Sequence, residues 1–395
     1  MHKTLMVLGA GHGQLQAIQR AKERGYRVIA TSCYPDDVGM FVADIPLPID
    51  TTDIDKTLEA ARAYKVDGIM TMGTDVAIPS IGKVIDELGL VGPSLHATLL
   101  STNKVMMKRR LQEWNVPTAK GIEVRTLTEA KDAIHALGLP VMLKIVDSSG
   151  SREITKIDSI SQLRDAFDQA KVISRTDSLL VEEFLDGLEF GAQGLVYKGK
   201  LKFVFPHNDT VTPPPYLTPV GHSYPMELAK DLEKEIFYIV AKCVEALGID
   251  NSMLNVDLMM TSSGPKIIEI AARMGATCLP ELTTIYSGIY VVDIAIEMAM
   301  GHELYLQERE AKQPCAALLI RSPRTGRLEV ADIPQDLLSD SRLVAIRWDK
   351  KKGDSVRAFK VGPDRIGEIV VISDSWREAE QFCGEVKSRL VIKVT

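Results

Sequence analysis

The sequence predicts an α/β protein that begins with a doubly wound parallel sheet and ends in a small β-rich region. Three observations predict it. Apolar strand-like runs alternate with helical periods over the first 95 or so residues. A helix with a clear period near 3.6 (Leu232, Ile236, Ile239, Val240, Cys243, Leu247) leads into a hairpin at 255–270. After residue 313 the pattern turns mostly to strands.

The chain has 395 residues, more than one ordinary domain uses, so two or three domains are expected. Hydrophobic content of 45% supplies a large core. A net charge of −6 offers no basic field for nucleic acid or an anionic membrane. The five cysteines are scattered, without metal-knuckle spacing, which suits free thiols in a reducing cytoplasm. No signal peptide is read at the N-terminus, and no apolar run has membrane-spanning length. A cytoplasmic protein is expected.

Residues 4–9, a helical period through Leu15, Ile18 and Ala21, and the run 26–30 make a β-α-β start. The turn Gly9-Ala10-Gly11-His12-Gly13-Gln14 departs from a dinucleotide fingerprint, because Gln14 stands near its last glycine and Thr31 and Ser32 replace the acidic residue. A structural turn or a small-substrate site fits better. The strand 67–72 ends at Gly73-Thr74-Asp75, and helix 76–88 with a short strand at 90–92 completes the unit. Thr74 and Asp75 are substrate candidates beyond a strand end, or caps of the next helix.

From Ser101 one amphipathic helix carries Lys104, Lys108, Arg109 and Arg110 and breaks at Asn115-Val116-Pro117. Strand 139–145 holds Lys144 among apolar neighbours, where a lone charge needs a partner. The run from Asp147 to Arg152 can aim backbone N–H groups at phosphate oxygens, though it lacks the Walker lysine. Strands follow at 179–185 and 187–196. Residues 207–227 read as a long Pro- and Gly-rich loop containing His207, Tyr216 and His222.

The hairpin carries the densest chemistry. Asp257 and Glu269 lie 12 positions apart, one on each strand, and even pairing brings them together on the face opposite Val256, Leu258 and Ile268. Two close carboxylates repel unless a cation lies between them. Hard oxygen ligands suit Mg²⁺, which takes one or two carboxylates plus phosphates. Arg273 follows, placed to hold an anion.

In this order the segments resemble the ATP-grasp superfamily, nearest to biotin carboxylase, the carbamoyl-phosphate synthase large subunit and L-amino-acid-ligase-like members. The resemblance implies an ATP-grasp fold, with an N-terminal doubly wound parallel-sheet domain at 1–95, the ATP-grasp domain at 96–303 with a mobile lid lobe at about 122–195, and a small β-rich C-terminal domain at 304–395. It implies ATP and Mg²⁺, with Mn²⁺ an alternative. Lys104 and Lys144 correspond to the two ATP-binding lysines, and Ser148, Ser149, Gly150 and Ser151 to the phosphate-covering loop. Glu182, Glu183, Phe184 and Leu185 resemble the hinge that meets adenine, and Glu189 a ribose contact. Asp257 and Glu269 resemble the metal pair, with Arg273 and Lys144 as catalytic residues. Thr74, Asp75, His222 and Arg273 are the substrate candidates.

Two positions depart from the pattern: Ala271 where the metal motif has Asn, and Glu153 where glycine is common. The implied reaction joins a small carboxylate to an amine through an acyl phosphate, in a homodimeric enzyme. The alternatives are a bicarbonate-activating enzyme and a non-catalytic nucleotide-binding protein.

Overall fold

The structure is a computed structural model and describes residues 3–146, 154–174, 176–213 and 218–395. The N-terminal strands β1 (Thr4–Leu8), β2 (Arg27–Thr31), β3 (Ile45–Leu47) and β4 (Gly68–Met70) form a parallel sheet in the order β3-β2-β1-β4. Helices α1 (His12–Glu23), α2 (Ile54–Tyr64) and α3 (Ile78–Leu88) accompany it. β1 is buried along its whole length, with Leu5 and Val7 in one core and Met6 and Leu8 in another, as a sheet covered on both faces requires. The expected strand at 90–92 is absent, because Gly89 ends α3 in the left-handed conformation and the Leu90 N–H turns back to the Ile85 carbonyl.

The single helix expected from Ser101 is two, α4 (Leu95–Thr102) and α5 (Lys104–Glu113). Asn103 breaks it: its backbone is extended, and its side chain accepts the Met106 N–H at 3.0 Å, capping α5. The next lobe is a four-stranded antiparallel sheet of β5 (Gly121–Val124), β6 (Val141–Ile145), β7 (Ile154–Ile157) and β8 (Leu179–Glu183), in the order β5-β8-β6-β7. Helices α6 (Leu127–Leu137) and α7 (Leu163–Ile173) close its separate core.

The central sheet begins with β9 (Leu188–Tyr197), β10 (Lys200–Val211), β11 (Pro219–Tyr224), β12 (Ser252–Thr261) and β13 (Gly264–Ala271). Helix α8 (Lys230–Leu247) buries Ile236, Val240 and Leu247 against it, and α9 (Leu279–Ser287) and α10 (Val291–Ala299) follow the hairpin. Later strands are β14 (Cys315–Ile320), β15 (Gly326–Asp332), β16 (Leu343–Trp348), β17 (Ser355–Val356), β18 (Gly367–Ile372) and β19 (Val391–Val394), with α11 (Gln335–Leu338) and α12 (Trp376–Arg389). Three of them, β14, β16 and β18, extend the central sheet, whose order is β13-β12-β9-β10-β11-β14-β18-β16. The others form the small sheet β17-β15-β19. No single helix among the described residues is long and apolar enough to cross a membrane.

Two expectations need correction here. The segment 207–227 is not one loop: β10 runs through His207 to Val211, and β11 pairs back against it with Asp209 opposite His222. A bulge after Asp257 also shifts the hairpin register, so Ile267 and Ile270, not Ile268, enter the core.

Candidate active site

The hairpin places Asp257 directly opposite Glu269. The row continues across the sheet, because Gly191 pairs with Asp257 on one side and with His207 on the other. Gly191 leaves space that nothing larger could: a Cβ there would stand 2.2 Å from His207 Cε1. Burial, then the charges of Glu269, Asp209 and Glu189, push the Asp257 carboxyl up to about 8. Several acids share this face, and the arrangement calls for a proton or a cation. Asn255, two residues before Asp257 on β12 and opposite Ala271, donates to Asp257 Oδ1 at 3.2 Å, so an amide stands beside the two carboxylates.

Three lysines face the acids. Lys104 Nζ is 3.7 Å from Glu269 Oε2. Lys144 Nζ lies 2.5 Å from one oxygen of Glu182, and Lys108 Nζ lies 3.1 Å from the other. Burial alone would raise the Glu182 carboxyl, but the two lysines outweigh it and bring it down to about 2. The fields of Glu269 and Glu189 also reach Lys144, so the lysine centre lies close to the acid row. Sequence reading assigned Glu182 to the adenine hinge; its side chain pairs with the two lysines. Lys108 was seen only as one of four cations on a helix. Its spacing of one turn from Lys104, both buried, was the available signal.

Arg273 donates from Nε and from its terminal nitrogens' side to Asp75 Oδ1, both at 2.6 Å. The loop after β4 therefore docks on the loop after β13, and the Gly73 N–H bonds the Met274 carbonyl at 3.1 Å. Thr74 lies half-buried in the same loop. In the segment expected to be the hinge, Glu183 N–H bonds the Lys120 carbonyl at 2.8 Å, Leu185 is buried, and Lys156 Nζ lies 4.3 Å above the Phe184 ring. Glu189 is exposed at the end of β9. Ser148, Ser149, Gly150 and Ser151, with Asp147, Arg152, Glu153 and Tyr216, lie outside the described residues.

Sequence reasoning missed one cluster. His207 Nδ1 is 2.9 Å and His222 Nδ1 2.5 Å from the same oxygen of Asp209, and both histidines are buried. The alternation Phe205, His207, Asp209 could have revealed a strand with one polar face.

The family model for the ATP-grasp domain matches residues 101–277. The structure is similar over its full length to a phosphoribosylglycinamide synthetase from Anaerococcus prevotii, with 30% identity, a TM-score of 0.86 and all of both chains covered. An L-amino acid ligase from Bacillus licheniformis shares the fold at 18% identity and TM-score 0.84, over 100% of this chain and 99% of that one. The biotin carboxylase domain dimer of a Hydrogenobacter thermophilus 2-oxoglutarate carboxylase, crystallised with MgADP and bicarbonate, does so at 18% and 0.82, over 100% of this chain and 91% of that one. The chain belongs to the ATP-grasp family. It spans 40%, 30% and 47% of the length of three curated relatives that it matches.

Proposed function

We propose that the protein is an ATP-dependent ligase that joins a small carboxylate to an amine, converting ATP to ADP and phosphate through an acyl phosphate. The observation that carries this reading is the clustering of Asp257 opposite Glu269, with Lys104 beside Glu269 and Lys144 within reach of its field. The neighbours named as a synthetase and an amino acid ligase support it.

The donor set fits Mg²⁺ and a polyphosphate. Asp257 and Glu269 would hold the ion, because the elevated Asp257 carboxyl marks a site where negative charge is uncompensated. Bound there, Mg²⁺ supplies charge neutralisation for phosphate oxygens. Lys104 and Lys144 would draw the phosphates and offset their charge. Arg273, oriented by Asp75, would hold the carboxylate or the transferring group with its planar donors. No side-chain nucleophile is required. The assembly is proposed to be a homodimer acting on small molecules.

The test is ADP release with Mg-ATP and a pool of amino acids and short aliphatic acids. Release that needs both acid and amine, and is lost in Lys144→Ala and Glu269→Ala, is expected. Release driven by bicarbonate alone, or unchanged in both variants, would overturn the proposal.

A further inference from the structure

The His207–Asp209–His222 cluster is separate from the residues proposed to hold nucleotide and cation, and both of its histidines are buried. Its protons can be assigned by following the hydrogen bonds from a fixed donor. The Gly275 backbone N–H can only donate, and it meets Gln193 Oε1 at 2.8 Å. The other end of that amide is therefore NH₂, consistent with its 2.7 Å bond to Asn255 Oδ1. This NH₂ faces His207 Nε2 at 3.3 Å, so that nitrogen accepts. The His207 proton must then sit on Nδ1, where it bonds Asp209 Oδ1. His222 likewise directs Nδ1 at the same oxygen.

Asp209 thus accepts two imidazole N–H bonds. His207 is spent at both nitrogens. His222 keeps Nε2 as a lone pair, with no hydrogen-bond partner among the described residues. Three side chains this close would also suit a metal ion, since their ligand atoms lie within 4.8 Å. The tautomer argues against that: the Gln193 amide keeps the His207 proton on the nitrogen that would have to bind the ion.

The position of His222 suits a different task. It lies on β11, three strands from Asp257 on β12, on the order of 14 Å in strand spacings. The face is the same, because the space above Gly191 is bounded by His207 and by Asp209 Oδ2. The groups around the ring are His207 at 5.2 Å between centroids, the Asp209 carboxylate, and uncharged Ala317 opposite it on β14.

We infer that His222, held in one tautomer by Asp209, is the base that takes a proton from the amine substrate of the ligase reaction. The inference rests on the ligase reading and adds the residue that reading lacked. An amine bound as an ammonium ion has no lone pair. His222 Nε2 accepts one of its protons, becoming an imidazolium that Asp209 stabilises. The freed lone pair attacks the acyl-phosphate carbonyl carbon, the C–N bond forms, and the C–O bond to phosphorus breaks. Inorganic phosphate leaves with the bonding pair, and the second nitrogen proton passes to solvent.

Hydroxylamine separates this role from the others, because it is already uncharged at neutral pH and needs no base. The wild type and His222→Asn are supplied with Mg-ATP and an equimolar pool of amino acids and short aliphatic acids. ADP release without hydroxylamine reports the amine reaction, and hydroxamate formation with it reports carboxylate activation. The amine reaction in His222→Asn should fall at least about 100-fold, and hydroxamate formation should change less than about threefold. Asp209→Asn should show the same split with a smaller loss. Equal loss of both reactions, or of neither, in His222→Asn would overturn the inference and leave the ligase reading standing. A wild type that forms no hydroxamate would remove both. His222→Gln serves as the second variant if the asparagine form melts early.

Discussion

The Lys144 ammonium lies 2.5 Å from the Glu182 carboxylate, between neighbouring strands of the four-stranded antiparallel sheet. Lys108 takes the other oxygen, so one buried acid pairs with two buried lysines. A buried acid that loses its charge leaves its partners unpaired in low dielectric. Glu182→Gln should therefore destabilise the fold by about 3 kcal/mol, read by urea unfolding. The pH dependence follows from the depressed carboxyl. Its contribution is complete above the unfolded value of 4.5 and is lost as pH falls toward about 2. The gap between wild type and variant should narrow over that window; a gap independent of pH would count against the ion pair.

Asp257 has the opposite sign. Its carboxyl ionises near 8 in the fold and near 3.8 in the unfolded chain. The folded state holds the extra proton, so this group takes stability away as pH rises from about 4 to about 8. A divalent cation must expel that proton below pH 8. The rise in melting temperature caused by Mg²⁺ should therefore grow between pH 6 and pH 8.5, and Asp257→Asn should flatten it. Thermal melts at fixed ionic strength check this.

Much of this centre was legible in the sequence. The spacing of Asp257 and Glu269 placed them opposite each other because a hairpin period of two leaves few alternatives. The strand position of Lys144 implied a partner for the same reason that buried charges always do. The bulge after Asp257 was not legible: it accompanies the burial of Ile267 and Ile270 in a core shared with α8, which no local turn signal announces. The Asp209–His222 pairing was missed because the Pro-rich 212–218 connection hid two strands that only tertiary pairing defines. Nor could spacing reveal that Glu182 joins Lys108 to Lys144, since those contacts span three separate elements.

Gly191 tests the row across the sheet. A methyl group there would overlap the His207 ring, with 2.2 Å to Cε1 and 2.6 Å to Nε2. Gly191→Ala should cost about 1–3 kcal/mol through overpacking. It should also lower amine-dependent ADP release, because a displaced His207 no longer shares Asp209 with His222. Melting temperature and initial rate, measured together, check both effects.

Arg273 tests the proposed contact with the transferring group. Both of its bonds to Asp75 run to one oxygen and Nη1 also donates to the Met274 carbonyl at 3.2 Å, which leaves one N–H on each terminal nitrogen for a ligand. Arg273→Lys keeps the charge and loses the planar fork, so ADP release should fall about 100-fold or more while the Mg²⁺-induced melting shift persists. Loss of that shift would mean that Arg273 supports the fold of the metal site instead.

The most direct measurement is anomalous diffraction from crystals grown with Mn²⁺ and ADP. The predicted result is a manganese peak coordinated by carboxylate oxygens of both Asp257 and Glu269, with the diphosphate reaching toward Lys104 and Lys144. A peak away from those two carboxylates, or a nucleotide bound with both lysines out of its reach, would contradict the account.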